Sequence, residues 1–527
     1  MASVIRLLGI LGGLSGALDL GTGAPLDESL VRCVVAVRLA RAVGCTDEEV
    51  QVVLYASLLE HLGCTAASYD GARDFGDDIA VVRYSFVADL ARPTDVLRTF
   101  VPGVAAASGR GRGRTLVAVA RAVRDDAPPR ATCEVASGAA RRLGLGDGVV
   151  QALAHVTAAW NGTGFPAVSG AQIPLTTRIV HVAGTVVLLA LRAGPDAALV
   201  EVRRRAGTQL DPRLVAAFTS DLLDGVTDAG LDGAGRAGAG AAAGSLDPLD
   251  LALEIEPDPV RYVDDGALAG VAQTFGDLVD LKSPWLPGHS AAVASLAADA
   301  AGVLGLADAE RVRVAGHLHD LGRIAVSARI WSKNGPLSAS ERDQARLHPY
   351  YTERILARLP ALADIAATAA RHHERCDGSG YHRGLRAADL PMGARVLAAA
   401  DAYRSAGEER PGRETPTGPE SGALQAASAR LTAEARAGRL DPDAVAAVLQ
   451  AAGTPGAAAH VAGVAGLTDR QVEVLRLVAR GLSNREVAER LVISPRTAEH
   501  HVQDIYQRIG ASTRAAAALF AMEHGLL

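Results

Sequence analysis

Five histidines and two aspartates in the middle of the chain have the types and spacing of a metal site. They are His289, His319, Asp320, His348, His372, His373 and Asp401. The whole chain has only 14 histidines, so this stretch is enriched in metal-binding side chains. Imidazole and carboxylate bind hard to borderline divalent metals, and the absence of thiolate argues against a structural zinc site. The pattern predicts a divalent-metal site rather than a set of unrelated histidines.

The positions of these residues also predict how many metals bind. The sequence between them reads as helix, so we expect the ligands to converge from several helices of a bundle. Adjacent helical residues point about 100° apart, so His372 and His373 should not serve one metal in the same way. Two metals roughly 3.5–4 Å apart would use both, with Asp320 as the bridge. We therefore expect two divalent ions, iron or manganese.

A glycine-containing loop follows the double histidine and reads DGSGY from Asp377 to Tyr381. Gly378 and Gly380 let the backbone approach a phosphate closely, and Tyr381 can stack or hydrogen-bond. The order H…HD…H…HH…D followed by this loop, over roughly residues 262–405, resembles the HD-GYP phosphohydrolases. That resemblance implies that the seven residues are metal ligands and that the substrate is a cyclic dinucleotide.

Three positions depart from the HD-GYP pattern. Arg323 replaces the lysine of HDxGK, and His382 replaces the proline after Gly-Tyr. Trp285 occupies the position where three-metal members carry glutamate, which favours two metals here. In the catalytic mechanism that we expect, Asp320 bridges the metals, which lower the pKa of a shared water. Arg323 would contact the substrate phosphate and stabilise charge on its oxygens.

The chain has almost no lysine. Only Lys282 and Lys333 occur among 53 basic residues, and both lie beside the metal-site motifs. An ammonium is a compact point charge, whereas a guanidinium is a broad planar fork. We hypothesise that Lys333 needs an ammonium, facing either a substrate phosphate or a carboxylate that closes the site. The alternative is a solvated surface lysine.

Composition limits the remaining possibilities. A chain of 527 residues should hold more than one domain. Its net charge of −6 gives no global attraction to nucleic acid or to an anionic membrane. Five cysteines without a CxxC pair indicate a reducing cytosol. The first twenty residues are predicted to form an amphipathic helix rather than a signal peptide, and no apolar run is expected to span a bilayer.

Residues 1–225 repeat the metal-binding region in pattern. Four segments align in order: 26–44 with 287–305, 57–64 with 317–324, 160–166 with 376–382, and 173–184 with 390–401. The ligand positions are then occupied by Glu28, Glu60-His61, Val156-Thr157 and Gly184. We interpret this region as a duplicated HD-like bundle without its metal ligands. The alternative is a chance alignment of two Ala/Leu-rich helical regions.

The last sixty residues carry a second motif. Capping boxes begin at Thr468 and Ser483, and Ser494-Pro495 opens a third helix that should end at Gly510. In that helix the apolar side chains fall on one face: Ala498, Val502, Ile505 and Ile509. Its outward side chains are Arg496, His500, Gln503 and Gln507. One apolar side for the bundle and one polar side for the major groove is what a recognition helix requires.

The segment from LTDRQVEVL to ASTRAAA resembles the LuxR-type helix-turn-helix nearly from end to end. The resemblance places five residues at or near DNA: Arg485, Arg496, Thr497, His501 and Arg508. His500 and Gln503 join them from the outward face. Eight arginines against seven acids after Leu467 leave a charge of only about +1, so a single copy should bind DNA weakly. We expect a homodimer. The alternative is a small protein-interaction bundle.

These observations predict an all-α, cytoplasmic protein without a membrane segment. Its expected domains are a degenerate HD-like bundle (1–227), a Gly/Ala-rich linker (228–250), an HD-GYP-type domain (251–453), a second linker (454–465) and a four-helix LuxR-type domain (466–527). The predicted function is a transcription regulator carrying a two-metal phosphohydrolase for a nucleotide phosphodiester. Its partners would be DNA and a nucleotide or cyclic dinucleotide. The alternative is a nucleotide sensor that binds ligand but scarcely hydrolyses it.

Overall fold

The computed structural model describes residues 5–226, 247–407, 420–453 and 464–527. Helices are the main regular structure of these ranges, as predicted, and the only strands in them are β1 (Ile5–Arg6) and β2 (Tyr262–Val263), which pair antiparallel. The chain divides into two compact units, with the border between Asp265 and Gly266. The sequence prediction placed this border at residue 251. Most of both predicted linkers lies outside the described residues.

The first unit is a bundle whose helix starts are fixed by local chemistry. Thr46 and Glu49 form a capping box at the third helix, and proline stands in the first turn of six later helices. The helices are α1 (Leu7–Thr22), α2 (Glu28–Ala42), α3 (Asp47–Leu58), α4 (Ser68–Phe75), α5 (Asp78–Val87), α6 (Pro93–Asp95), α7 (Val101–Ser108), α8 (Arg112–Ala122), α9 (Ala127–Arg142), α10 (Asp147–Leu153), α11 (Leu175–Ala193), α12 (Pro195–Arg205), α13 (Pro212–Ala217) and α14 (Pro248–Ile255).

Two helices of this unit differ from the sequence prediction. The first, α1, is not amphipathic, because α2, α3, α5 and α14 pack around it and bury most of its residues. The second, α11, is long and apolar enough to cross a membrane by length and composition alone. The expectation that no apolar run is that long was therefore wrong. Half of its most apolar window is buried, and α11 packs against α2, α3 and α12.

The second unit contains the predicted metal site and the LuxR-like segment. Its helices are α15 (Asp265–Asp280), α16 (His289–Val303), α17 (Ala309–Leu318), α18 (Ala328–Trp331), α19 (Ala339–Arg346), α20 (His348–Leu356), α21 (Ala363–Ala369), α22 (Met392–Gly407), α23 (Glu420–Arg436), α24 (Pro442–Gly453), α25 (Asp469–Ala479), α26 (Asn484–Leu491), α27 (Pro495–Ile509) and α28 (Arg514–Glu523). Ser338 and Glu341 form a capping box at α19.

Matching hydrogen bonds show that the two units repeat one another. In the first unit the carboxylate of Asp19 accepts hydrogen bonds from the backbone and the hydroxyl of Ser29. In the second, the carboxylate of Asp280 accepts the same pair from Ser290. Each serine is the second residue of its helix, and α2 and α16 are each 15 residues long. The aligned segments therefore fold alike at their start.

The later part of the repeat matches as well. Arg178 donates to the carbonyl of Ile173 and to Asp211 at 2.9 and 2.6 Å. Its aligned counterpart, Arg395, donates to the carbonyl of Leu390 and to Asp441, both at 2.9 Å. In the aligned loops, Gly162 and Gly378 both have positive φ, 86° and 83°. Chance alignment of two helical regions would not reproduce these long-range contacts.

The LuxR-like segment forms the predicted helices. Thr468 and Ser483 close capping boxes at α25 and α26, and Gly510 ends α27 with φ of 67°. The buried side of α27 holds Ala498, Val502 and Ile505, while Ile509 is partly exposed. Arg496, His500, Gln503 and Gln507 are exposed, as the periodicity predicted. The segment thus presents one polar face, as a recognition helix does.

Val492, in the turn between α26 and α27, has a strained backbone. It is 90% exposed and adopts φ of 54°, a region that disfavours β-branched side chains. We expect Val492→Gly to raise the free energy of unfolding by about 1 kcal/mol, because it removes the Cβ clash and no buried contact. Urea denaturation checks this. Val492→Ala keeps a Cβ, so it should raise the free energy of unfolding by less than Val492→Gly does. A glycine variant that is no more stable than the unchanged chain would contradict the prediction.

Candidate metal centre and DNA-binding surface

The seven predicted ligands converge in the second unit, and helix ends place most of them. His289 opens α16, His319 and Asp320 follow α17, His348 opens α20, His372 and His373 follow α21, and Asp401 lies in α22. Six of the seven are buried, and only His373 is partly exposed. Residues that lie far apart in sequence therefore meet in one enclosed cluster.

Backbone carbonyls fix the tautomer of three of these histidines. Each ring donates Nδ1–H to the carbonyl oxygen three residues earlier: His319 to Gly316 at 2.7 Å, His348 to Ala345 at 2.6 Å, and His372 to Ala369 at 2.7 Å. A carbonyl oxygen only accepts, so Nδ1 carries the proton. Burial lowers the pKa of His348 and brings that of His372 to about 4, so both are neutral at pH 7. Their Nε2 atoms carry lone pairs.

These Nε2 atoms face the carboxylate of Asp320. Its Oδ2 lies 3.0 Å from Nε2 of His319, and its Oδ1 lies 3.2 and 3.5 Å from those of His348 and His372. Burial alone would raise the pKa of Asp320, but the neighbouring guanidinium of Arg323 holds it well below its usual range. Lone pairs that face a carboxylate repel it unless a cation lies between them. The donor set therefore fits divalent metal ions, with oxygen and neutral imidazole as ligands.

The ligand atoms fall into two groups on either side of Asp320. One group is His289, His319 and Asp401, and the other is His348, His372 and His373; within each, the ligand atoms lie within 4.8 Å of one another. Oδ2 of Asp320 faces the first group, and Oδ1 faces His348 and His372 of the second. This arrangement is the one that a bridging carboxylate between two metals requires.

His372 and His373 fall into one group, and His372 also lies in a further group with His319 and Asp320. We expected that the two rings would not serve one metal in the same way. The expectation assumed a helix, but α21 ends at Ala369 and the two rings lie in a turn with centroids 4.1 Å apart. They differ in orientation, since His372 uses Nδ1 on a carbonyl while Nδ1 of His373 faces Asp401 at 3.7 Å. Both rings can therefore reach the same ion through different nitrogens.

Gly322 lets two ligand-bearing segments pack closely. The helix before His319 and Asp320, α17, ends at Leu318. Gly322 lies in a 3₁₀ turn, Leu321–Ala325, against the first turn of α20. A Cβ there would come within 2.0 Å of the carbonyl oxygen of His348. The glycine therefore permits two ligand-bearing segments to approach each other.

Arg323 supports Asp320 and contacts an aromatic ring that sequence reasoning missed. Its Nε lies 2.9 Å from Oδ2 of Asp320, and its guanidinium lies 5.1 Å from the ring centroid of Trp331. Trp331 donates its indole N–H to the Arg323 carbonyl and packs edge-on against His348 at 5.6 Å. Tryptophan is rare, with three in the whole chain, and Trp331 lies shortly after the HDLGR motif. This rarity is the sequence signal that could have identified it.

The predicted substrate loop is built as expected at its glycines. Gly378 has φ of 83°, and a Cβ on Gly380 would come within 2.5 Å of the backbone of Glu374 and Arg375. Asp377 accepts hydrogen bonds from Ser379 and is exposed. The buried Glu374, missed in the sequence, accepts the N–H groups of residues 383 and 385 at 2.8 and 2.9 Å. Tyr381 packs on His373 with centroids 4.8 Å apart.

The two lysines have different surroundings. Lys333 is half-buried and its Nζ lies 2.5 Å from a carboxylate oxygen of Glu341, in the cap of α19. Lys333 therefore pairs with a carboxylate, while its role in closing the site and its contact with a substrate phosphate stay predictions. Lys282 is buried and donates to the carbonyl of Ile324. It joins the loop before His289 to the turn that contains Arg323.

On the DNA-binding segment, the predicted contact residues have different surroundings. Arg485 pairs with Glu489 at 3.0 Å, and Arg508 donates to the carbonyl of Gly466 at 2.9 Å. Thr497 takes part in the cap of α27, where its backbone N–H and hydroxyl meet Ser494. His501 is partly exposed. Arg508 therefore stabilises the start of the segment, and its contact with DNA stays a prediction.

Comparison with known proteins agrees with both parts of this description. Residues 273–444 match the model of the HD domain, and residues 465–521 match that of the bacterial regulatory proteins of the luxR family. The chain is 27% identical over 407 residues to 3'3'-cGAMP-specific phosphodiesterase 3 of Vibrio cholerae serotype O1, covering 76% of this chain and 86% of that protein.

Other relatives match shorter stretches. The cyclic di-GMP phosphodiesterase response regulator RpfG of Xanthomonas campestris is 37% identical over 153 residues, 28% of this chain and 38% of its own length. The crystal structure of a cyclic GMP-AMP specific phosphodiesterase of V. cholerae has a TM-score of 0.53 at 22% identity, covering 86% of this chain and 99% of that one. This last likeness shows the fold.

The chain therefore contains an HD domain followed by a LuxR-type DNA-binding domain. The relatives of its HD domain are cyclic-dinucleotide phosphodiesterases of the HD-GYP type, which confirms the resemblance seen in the sequence.

Proposed function

We propose that this protein hydrolyses a cyclic-dinucleotide phosphodiester at a two-metal site and regulates transcription through its LuxR-type domain. The observation that carries the proposal is the pair of ligand groups facing the two oxygens of Asp320. The names of the relatives support the substrate class, since the proteins that match the HD domain include cGAMP and cyclic di-GMP phosphodiesterases. We further propose a cytoplasmic homodimer.

The residues of the chain have separable roles in this reaction. Iron or manganese ions held by the seven ligands would supply Lewis acidity and lower the pKa of a coordinated water. Arg323 holds Asp320 in place through their 2.9 Å contact, and its permanent charge favours a phosphate at the cluster. Trp331 packs on the Arg323 guanidinium and on His348, so it positions both. Burial of the other six ligands limits access of bulk water to the side of His373.

The test is metal analysis of the purified chain together with a hydrolysis panel. We expect about two iron or manganese ions per chain and cleavage of 3'3'-cGAMP or cyclic di-GMP into linear products. A chain that carries the metals and binds these nucleotides without cleaving them would support the sensor alternative. A chain without metal in its reduced, anaerobically purified form would overturn the proposal.

For DNA, the exposed face of α27 predicts two classes of variant. His500→Ala and Gln503→Ala should change sequence preference, because these side chains stand at mid-helix on the outward face. Arg485→Ala and Arg496→Ala should weaken binding to all sequences and reduce the salt slope by about one unit each, as lost phosphate contacts do. Binding titrations at several salt concentrations separate the classes. A shift of specificity in Arg496→Ala with an unchanged salt slope would reverse the assignment.

A further inference from the structure

One side of the buried cluster is open to solvent. The side chain of His373 is 17% exposed, whereas those of His289, His319, His348 and His372 are 3% exposed or less. A phosphodiester that reaches the ligands must therefore approach beside His373. The groups that cover this side are the first that a substrate meets.

A stack of three planar groups leads outward from His373. The ring of Tyr381 lies over that of His373, with centroids 4.8 Å apart and planes tilted by 31°. On Tyr381 lies the guanidinium of Arg346, 4.6 Å from the ring centroid. Arg346 is the last residue of α19 and is exposed. Since His348 opens α20 two residues later, this charge is attached directly to a ligand-bearing segment.

Arg346 differs from Arg383 and Arg395, two other arginines of the same unit, in its partners. Arg383 and Arg395 pair with the carboxylates of Glu353 and Asp441. Arg346 forms no ion pair with any residue that the structure describes, and its contact is the neutral ring of Tyr381. A guanidinium stacked on an aromatic ring is held in one plane, and its outer edge still presents N–H donors that match phosphate oxygens. The charge is therefore available for an anionic ligand.

We infer that Arg346, stacked on Tyr381, binds the second phosphate of a two-phosphate substrate while the first lies at the ligand cluster beside Arg323. This rests on the proposed phosphodiesterase function and deepens it. Arg323 and Arg346 contact different aromatic rings, Trp331 and Tyr381, and both rings pack against His348. Two separate guanidinium groups beside one cluster match a ring nucleotide with two phosphodiesters better than a substrate with one. Arg346 is thus a specificity-determining residue.

The experiment compares Arg346→Gln with the unchanged chain on two substrates. The first, 3'3'-cGAMP, has two phosphodiesters, and the second, bis(p-nitrophenyl) phosphate, has one. We expect KM for 3'3'-cGAMP to rise about tenfold or more, as for loss of a charged hydrogen bond, and kcat to change much less. The ratio of kcat/KM for the two substrates should fall by about the same factor. Arg346→Lys keeps the positive charge but lacks the planar guanidinium, so its KM for 3'3'-cGAMP should lie between those of the unchanged chain and Arg346→Gln.

Arg354→Gln is the matched control, because Arg354 is likewise stacked on a tyrosine, at 5.9 Å over Tyr350. It should leave the ratio unchanged. Equal losses on both substrates in Arg346→Gln, or no change on either, would overturn the inference. If the metal-loaded wild type cleaves neither substrate, the proposed hydrolysis fails separately. Calorimetric Kd values for 3'3'-cGAMP then decide: a weaker Kd in Arg346→Gln supports the subsite, and an equal Kd or no binding to the wild type overturns it.

Discussion

Asp320→Ala is expected to remove the bound metal and the phosphodiester hydrolysis together. Its two carboxylate oxygens face different ligand groups, so the substitution takes one ligand from each. It also leaves the buried guanidinium of Arg323 without the carboxylate 2.9 Å away. We expect kcat/KM to fall at least about a thousandfold, because metals supply several kcal/mol of transition-state stabilisation and each 1.4 kcal/mol is a factor of ten. Metal analysis and steady-state kinetics on the same preparations measure both effects.

A carboxylate of the same unit outside the cluster provides the control. Asp441 pairs with Arg395 at 2.9 Å and contacts none of the ligand groups. Asp441→Asn should therefore keep its metal and most of its activity. Retention of full metal content in Asp320→Ala would show that Asp320 is not the bridge. Loss of one ion and retention of the other would show two independent sites.

The metal site could be predicted from sequence because its signal lies in residue type and spacing. Histidine is rare in this chain and clusters in one stretch, and six of the seven ligands stand at or just beyond a helix end. The repeat was predictable for the same reason, since Gly162 and Gly378 need positive φ wherever the loop occurs. Capping boxes at α25 and α26 are also local, so the DNA-binding helices followed from short patterns.

What sequence reasoning missed depends on contacts between distant segments. Trp331 gains its role from its contacts with Arg323 and His348, and Arg346 gains its role from the ring of Tyr381; no local pattern marks either residue. Gly322 is similar, because a Cβ at this position would clash with the His348 carbonyl of another helix. The expected amphipathicity of α1 failed because α14, from a remote part of the chain, covers a further side of that helix. Tertiary packing decides each of these cases.

In the first unit, a guanidinium supplies the positive charge at the position of the lost metal site. Arg32 lies one turn after Glu28, and its guanidinium contacts Glu28 at 3.2 Å and Glu60 at 2.5 Å. The same group lies 2.7 Å from Nε2 of His61. Gly184, which aligns with Asp401, provides the space for the Arg32 side chain, because a Cβ at Gly184 would lie 3.2 Å from Cδ of Arg32. The four side chains of this group are all buried: Glu28, Arg32, Glu60 and His61.

Arg32→Met is therefore expected to lower the stability of the first unit by about 3–5 kcal/mol, because it leaves two buried carboxylates without their cation. Burial raises the pKa of Glu28 and of Glu60 even with Arg32 present. When folding raises the pKa of a carboxyl group, that group stabilises the folded state at pH values below its pKa in the unfolded chain. This contribution is lost as the pH rises through its pKa in the folded state. The deficit of the variant should thus be smaller at pH 5 than at pH 8. Hydrogen exchange of the α2 and α3 amides in the full chain measures it.

Arg38→Met is the control that tests whether loss of any arginine from α2 lowers the stability of the first unit to the same extent. Arg38 is half-buried and donates to the carbonyls of Leu222 and Asp224 at 3.1 and 2.8 Å, with no carboxylate to leave unpaired. Its loss should cost about 1 kcal/mol or less and show no comparable pH dependence. Adding Glu60→Gln to Arg32→Met should restore part of the stability, since one buried charge disappears. If Arg32→Met exchanges like the wild type at pH 8, the guanidinium does not replace the metal as the charge that holds this bundle together.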